Sequence, residues 1–241
     1  MRISLISNKW ALISAIVLLS ATGVSLKAQF NVKVGYNLGL ASPDINNEIL
    51  DTFNFFQSMN FDEFNEVPPL KIISGVTVGL RHKFSFGALT VDWENLNRSL
   101  SFLGNTQLPL PARPISETFE VTYTINMIMA GVEFDYGKIA IGSSIGRNFV
   151  SITQETQTGD DSSLFTFGTG SRSQTFARLH LSIKLTGSKL VGFSVSPYVQ
   201  IPITKVDLTP VASKLGVSRT EADESFPLIG ISFLFYNGPQ N

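Results

Sequence analysis

From residue 30 the chain reads FNVKVGYNLGL, with apolar side chains at every second position. Phe30, Val32, Val34, Tyr36, Leu38 and Leu40 share one face, and Asn31, Lys33, Gly35, Asn37 and Gly39 share the other. A period of two is the pattern of a β-strand. Comparable patterning recurs over about 70–85, 88–98, 117–135, 139–153, 173–186, 190–203 and 226–236, which predicts eight strands. Three connections are short, at Phe86-Gly87, Tyr136-Gly137 and Gly187-Ser188-Lys189. The other four, at 41–69, 99–116, 154–172 and 204–225, are long, and the two kinds alternate strictly along the chain.

That alternation predicts an all-β fold: an eight-stranded antiparallel up-and-down transmembrane β-barrel with short turns in the periplasm and four long loops outside the cell. An even strand number then leaves both termini periplasmic. The competing fold is a secreted soluble barrel of lipocalin type, which turns its apolar face inward. Composition of the polar face favours the membrane. It carries Gly35, Gly39, Gly75, Gly79, Gly142, Ser144, Gly146, Gly192, Ser194, Ser196, Gly230 and Ser232. Small residues suit a crowded concave wall and would only weaken a water-facing surface. The apolar faces also carry Phe30, Phe84, Phe134, Phe193 and Phe235 near their periplasmic ends, where an aromatic girdle belongs.

Face parity tests the turns. A turn at Phe86-Gly87 opposes Leu80 to Trp93 and Arg81 to Asp92; one at Gly187-Ser188-Lys189 opposes Ile183 to Phe193. In the middle hairpin Phe119, Val121, Tyr123, Ile125, Met127 and Met129 fall out of step with Val132 and Phe134. A β-bulge at Ala130-Gly131 is expected to restore one apolar face.

The first 28 residues stand apart. Arg2 and Lys9 precede an apolar stretch from Trp10 to about Val24, followed by Ala28-Gln29, the layout of a secretory signal peptide cleaved after Ala28. The division is therefore 1–28 signal peptide and 29–241 outer-membrane barrel domain; the alternative is an uncleaved anchor. Loss of Arg2, Lys9 and Lys27 takes the net charge from −1 to −4, which argues against nucleic acid as a partner. Charged residues make up 15% of the chain, well below the roughly 25% of ordinary globular proteins, as expected if much of the surface meets lipid. With no cysteine, neither disulfides nor thiolate chemistry is available.

Eight strands enclose too little space for a water channel. The inward set is read as Lys33, Arg81, Lys83, Asp92, Glu94, Glu120, Arg178, His180 and Lys184, a lumen charge network that neutralises itself. A conducting pore or a proton-linked gate is the alternative. Catalysis is not expected, because the two imidazoles, His82 and His180, have no nucleophile with an orienting third group. Gly168-Thr169-Gly170-Ser171 lacks the Lys and helix of a phosphate loop, and Asp160-Asp161 lacks an oxygen-ligand ladder, so no metal or cofactor is expected. The loop 41–69 holds Asp44, Glu48, Asp51, Asp62, Glu63 and Glu66 with no basic residue. Its Ile45, Ile49, Phe53, Phe56 and Phe64 lie near helical spacing. A short amphipathic helix there is read as a lid over the barrel mouth, or as a docking element for a protein partner or the membrane surface.

The signal peptide with its Ala28-Gln29 junction, FNVKVGYNLG opening the first strand, GVTVGLRHKF ending the second and LIGISFLFY closing the last together resemble the small outer-membrane β-barrel proteins of the Bacteroidota. The resemblance is to their broad PorT-like class, whose members look like eight-stranded barrels of OmpA or OmpX type. The resemblance implies outer-membrane lipid as the environment and recognition of the final strand by the barrel-assembly machinery. Here Tyr236 is followed by NGPQN, a departure from a chain ending in that strand. It also implies one of two roles: structural or adhesive contact through the loops, or accessory membership of a secretion or envelope-assembly complex.

Overall fold

Strand period carries through to closure. A computed structural model describes residues 29–106, 115–158, 161–187, 191–218 and 221–237; segment 1–28, the turn residues Ser188 and Lys189, and 238–241 lie outside them. Eight antiparallel strands form the barrel: β1 (Gln29–Ala41), β3 (Ile72–Phe84), β4 (Gly87–Thr106), β5 (Ile115–Tyr136), β6 (Ile139–Thr158), β7 (Asp161–Gly187), β8 (Val191–Pro202) and β11 (Leu228–Asn237). β1 pairs with both β3 and β11, and β4 with both β3 and β5, so the sheet closes on itself. The first long connection folds into helix α1 (Asp44–Ser58) and β2 (Glu63–Asn65), which adds to the far end of β4. The last holds helix α2 (Thr209–Lys214) between β9 (Val206–Asp207) and β10 (Asp223–Glu224), which pair with each other.

The wall is uneven in height. β4, β5, β6 and β7 run 20, 22, 20 and 27 residues, against 13, 13, 12 and 10 for β1, β3, β8 and β11. The stretch 154–172, expected as a loop, is mostly strand, because β6 and β7 stay paired out to Thr158 and Asp161.

These tall strands show why no bulge forms at Ala130-Gly131. β5 pairs without a break with β4 and β6 through that point. Phe119, Val121, Tyr123, Ile125, Met127 and Met129 point inward and are buried, as is Glu133 further along the same face. Outward lie Glu120, Thr122, Thr124 and Asn126, then Ile128, Ala130, Val132 and Phe134. The alternation is unbroken; what changes is its sign. β4 inverts at the same height, with Leu89, Val91 and Trp93 outward before Asn95, Asn97, Ser99 and Ser101, and Asp92 and Glu94 inward before Leu96, Leu100 and Phe102. Trp93 pairs with Ile128 and Asn95 with Asn126, whose side-chain amides bond at 2.7 Å. Below that row β4 and β5 are apolar outside and polar inside; above it the reverse holds. Lipid against the lower half and water against the upper account for both halves. Val91→Arg should therefore cost about 2–4 kcal/mol and Asn97→Arg under about 1 kcal/mol, measured by unfolding from lipid vesicles.

The turns differ from expectation by whole pairs. The first hairpin sets Leu80 opposite Val91 and Asp92 opposite Gly79, two residues from the predicted Leu80–Trp93 register. A shift of two keeps every side chain on its face but changes its neighbours, so Arg81 lies opposite Thr90. Ile183 lies opposite Val195, with a register shift between Lys184 and Thr186. Gly137, at φ 68°, heads the tight turn between Tyr136 and Ile139, a conformation that glycine adopts without strain.

Candidate functional site

Among the described residues the lower lumen holds ion pairs in three neighbouring groups. The Arg178 guanidinium grips the Glu94 carboxylate with two bonds of 2.6 and 2.8 Å and donates to Gln200 Oε1 at 2.8 Å. The Tyr198 ring lies against it, 4.3 Å from ring centroid to guanidinium carbon. Lys33 Nζ donates to Asp92 Oδ2 at 2.7 Å. Arg81 joins Glu133 through Nε at 2.7 Å and Asp135 through Nη2 at 3.1 Å. Asp135 also draws Lys184 at 3.1 Å and Lys83 at 3.7 Å, and His180 Nε2 lies 3.3 Å from Glu133 Oε1.

Each ion pair skips at least one strand, tying walls that share no backbone ladder, whereas Gln200 and Tyr198 lie on β8 beside β7. Every carboxylate comes from β4 or β5, and every cationic partner from β1, β3 or β7. Bulk is accommodated by its absence opposite: a Cβ at Gly142 would stand 2.2 Å from His180 Nε2. A gap of about 20 Å³ bordered by Lys33, Asp92, Glu133, Arg178 and Tyr198 has room for about one water molecule.

Eight of the nine sequence-read lumen residues enter this network: Lys33, Arg81, Lys83, Asp92, Glu94, Arg178, His180 and Lys184. Glu120 does not. It stands on the exposed outer face of β5 above the inversion, opposite Glu155 of β6, because parity runs straight through the position expected to bulge. Glu133 and Asp135, which anchor half the network, were legible as the residues alternating with Val132 and Phe134. The Arg81–Asp92 pairing gives way to Lys33–Asp92 and Arg81–Glu133.

The five girdle phenylalanines all lie on the outer face at the short-turn end. Phe193 and Phe235 pack at 4.7 Å, and Phe84 meets Phe86 at 4.8 Å. Phe30 covers His82 at 4.4 Å. Phe134 is exposed, and Phe86 and Tyr136 extend the ring.

Above the inversion the lumen is a hydrophobic core with a lid. Ile49, Leu50 and Phe53 of α1 are buried against Phe102, Phe119 and Val121. Leu208, Val211, Ala212 and Phe226 of the last connection belong to the same core. Phe53 stacks on Phe119 at 4.6 Å and meets Phe102 edge-on at 5.9 Å. Polar contacts fix the lid in place. The Tyr123 hydroxyl donates to Asn46 Oδ1 at 2.9 Å, Asn54 exchanges two 2.9 Å bonds with the Val67 backbone, and Leu70 N–H donates to Asn47 Oδ1 at 2.9 Å. No side chain of α1's own start caps the helix. Instead Glu224 of β10 accepts the Asn46 N–H at 2.8 Å, although burial pushes its carboxyl above the usual range. Phe56, expected on the packed face, is exposed beside Phe55 and Met59, and Leu50 takes its place inside.

An apolar belt, a lumen filled with side chains and a helix packed over the mouth define a transmembrane eight-stranded β-barrel. No protein-family model matches the sequence, and no curated protein does. Among solved structures, Ail, the attachment invasion locus protein of Yersinia pestis, matches with a TM-score of 0.39 at 9% identity, covering 87% of this chain and 96% of that one. Its complex with the heparin analogue sucrose octasulfate gives 0.45 at 8%, with coverages of 88% and 99%. Neisserial surface protein A gives 0.37 at 11%, with 86% and 97%.

Proposed function

We propose that this protein is an outer-membrane barrel that displays a folded headpiece for contact, in a structural, adhesive or accessory role, with the lumen serving as scaffold. The observation that carries the reading is the inversion of polarity on β4 and β5. The longest strands and both helices among the described residues build a water-facing structure above the belt. The long loops then face outward from the cell and the short turns face the periplasm, with residues 1–28 acting as the export signal. Barrel-assembly machinery receives the final strand during insertion.

The reading assigns the protein no chemistry. His180 is engaged with Glu133 in the lumen, away from the mouth. A contact surface is available on segment 41–69. Phe55, Phe56 and Met59 are exposed at the end of α1, with Asp51, Glu63 and Glu66 exposed around them. This supports a protein partner there, including fellow members of a secretion or envelope-assembly complex as the PorT-like resemblance implies.

Two measurements test this. Reconstituted into planar bilayers, the protein should give no stable single-channel steps; steady conductance would replace the scaffold reading with a pore. Co-purification from mild detergent should recover a partner from cells expressing the full chain and lose it for a Phe55→Ser, Phe56→Ser variant. Equal recovery from that variant would remove segment 41–69 as the docking element.

A further inference from the structure

The short-strand flank of the barrel bears a hollow of about 810 Å³ on its outer face. One ridge is Leu38, Ile231 and Pro197, and the other is Leu40, Ile229 and Val199; each set is in register across β1, β11 and β8. The floor between them is backbone. Gly39 pairs directly with Gly230, and Gly230 with Tyr198.

With no side chain beneath them, these glycines let the wall rest on the inward Tyr198 ring. A Cβ at Gly230 would stand 2.6 Å from the Tyr198 hydroxyl, and one at Gly39 would stand 3.1 Å from it. Tyr198 is in turn held by Arg178, which Glu94 clamps. The lumen network thus sets the floor of an external hollow.

We propose that this hollow binds an acyl chain of a phosphate-bearing membrane lipid from the leaflet on the long-loop side. It is continuous with the belt that already faces lipid and lies toward the long-loop ends of its strands, next to Ala41 and Leu228. Its ridges are wholly apolar, so a flexible hydrocarbon chain satisfies them without polar partners. A second copy does not fit, since two concave faces opposed leave a void. Lys71 immediately precedes the lining residue Ile72, and Lys205 follows Ile203 beyond the end of β8. Both are exposed at the long-loop ends of the strands bounding the flank, where a lipid phosphate lies.

The proposal rests on the belt's facing lipid, and the test separates the two. The full chain, folded in non-denaturing detergent, is titrated with dipalmitoyl phosphatidylglycerol and examined by native mass spectrometry. A heat-modifiable gel shift reports barrel folding independently; its absence in the unaltered chain would overturn the barrel reading. One lipid per chain should be retained. Val199→Trp, which fills the hollow from outside, should weaken retention about tenfold while keeping the gel shift. Leu40→Trp on the opposite ridge is the second variant should the first lose its folded band. Lys71→Ala with Lys205→Ala should weaken retention of phosphatidylglycerol toward that of a neutral diacylglycerol of the same chain length. Unchanged retention in a folded Trp variant, several lipids bound without a one-lipid plateau, or a dimer in place of the lipid adduct would each overturn the proposal.

Discussion

Glu94→Ala should destabilise the barrel by about 3–5 kcal/mol, because it strands the Arg178 guanidinium in a buried lumen without its bidentate partner. Gln200 would remain, but a neutral amide oxygen does not replace a carboxylate. The measurement is the urea midpoint of unfolding from lipid vesicles, followed by the fluorescence of Trp93, one residue away on the lipid face. The double variant Glu94→Leu, Arg178→Met should recover most of the loss, since removing both charges leaves neither uncompensated. A loss below about 1 kcal/mol for the single change would mean that the pair behaves as if solvated, and the filled lumen would be wrong.

Phe53→Ala should remove about 3–5 kcal/mol from the headpiece and little from the barrel beneath it. Phe53 is the ring of α1 that engages both Phe102 and Phe119, so its truncation opens a cavity where lid meets wall. Limited proteolysis of the reconstituted protein should cut within 44–70 much faster, while the heat-modifiable gel shift persists. Loss of the gel shift as well would show that the two storeys fold as one unit.

Strand number, order and the lower-barrel faces were legible because lipid and lumen impose opposite polarities on alternate residues, a constraint written into eleven residues of β1 alone. The upper half resisted for the same reason. Period two reports which residues share a face and carries no sign, so a strand leaving the membrane inverts without breaking step. Reading one sign throughout forced a bulge onto Ala130-Gly131 and placed Glu120 inside. The hydrophilic outer run Glu120, Thr122, Thr124 and Asn126 was the available warning. Registers were weaker still, since a shift of two leaves every face intact; that is why Arg81 was matched to Asp92 although Glu133 and Asp135 lay on the neighbouring strand. Cross-lumen pairs such as Arg178–Glu94 leave no trace in local pattern, because three-dimensional closure alone brings β7 to β4.

The segregation of carboxylates on β4 and β5 from cations on β1, β3 and β7 bears on how such a chain reaches its native state. If strands enter the bilayer in chain order, Glu94 has no counter-ion until β7 arrives, about eighty residues later in the sequence. Premature or slipped closure then leaves a carboxylate facing hydrocarbon or an empty lumen, at several kcal/mol per group. The Arg178–Glu94 pair acts in this sense as a late checkpoint, made only once β7 has joined the strands that precede it.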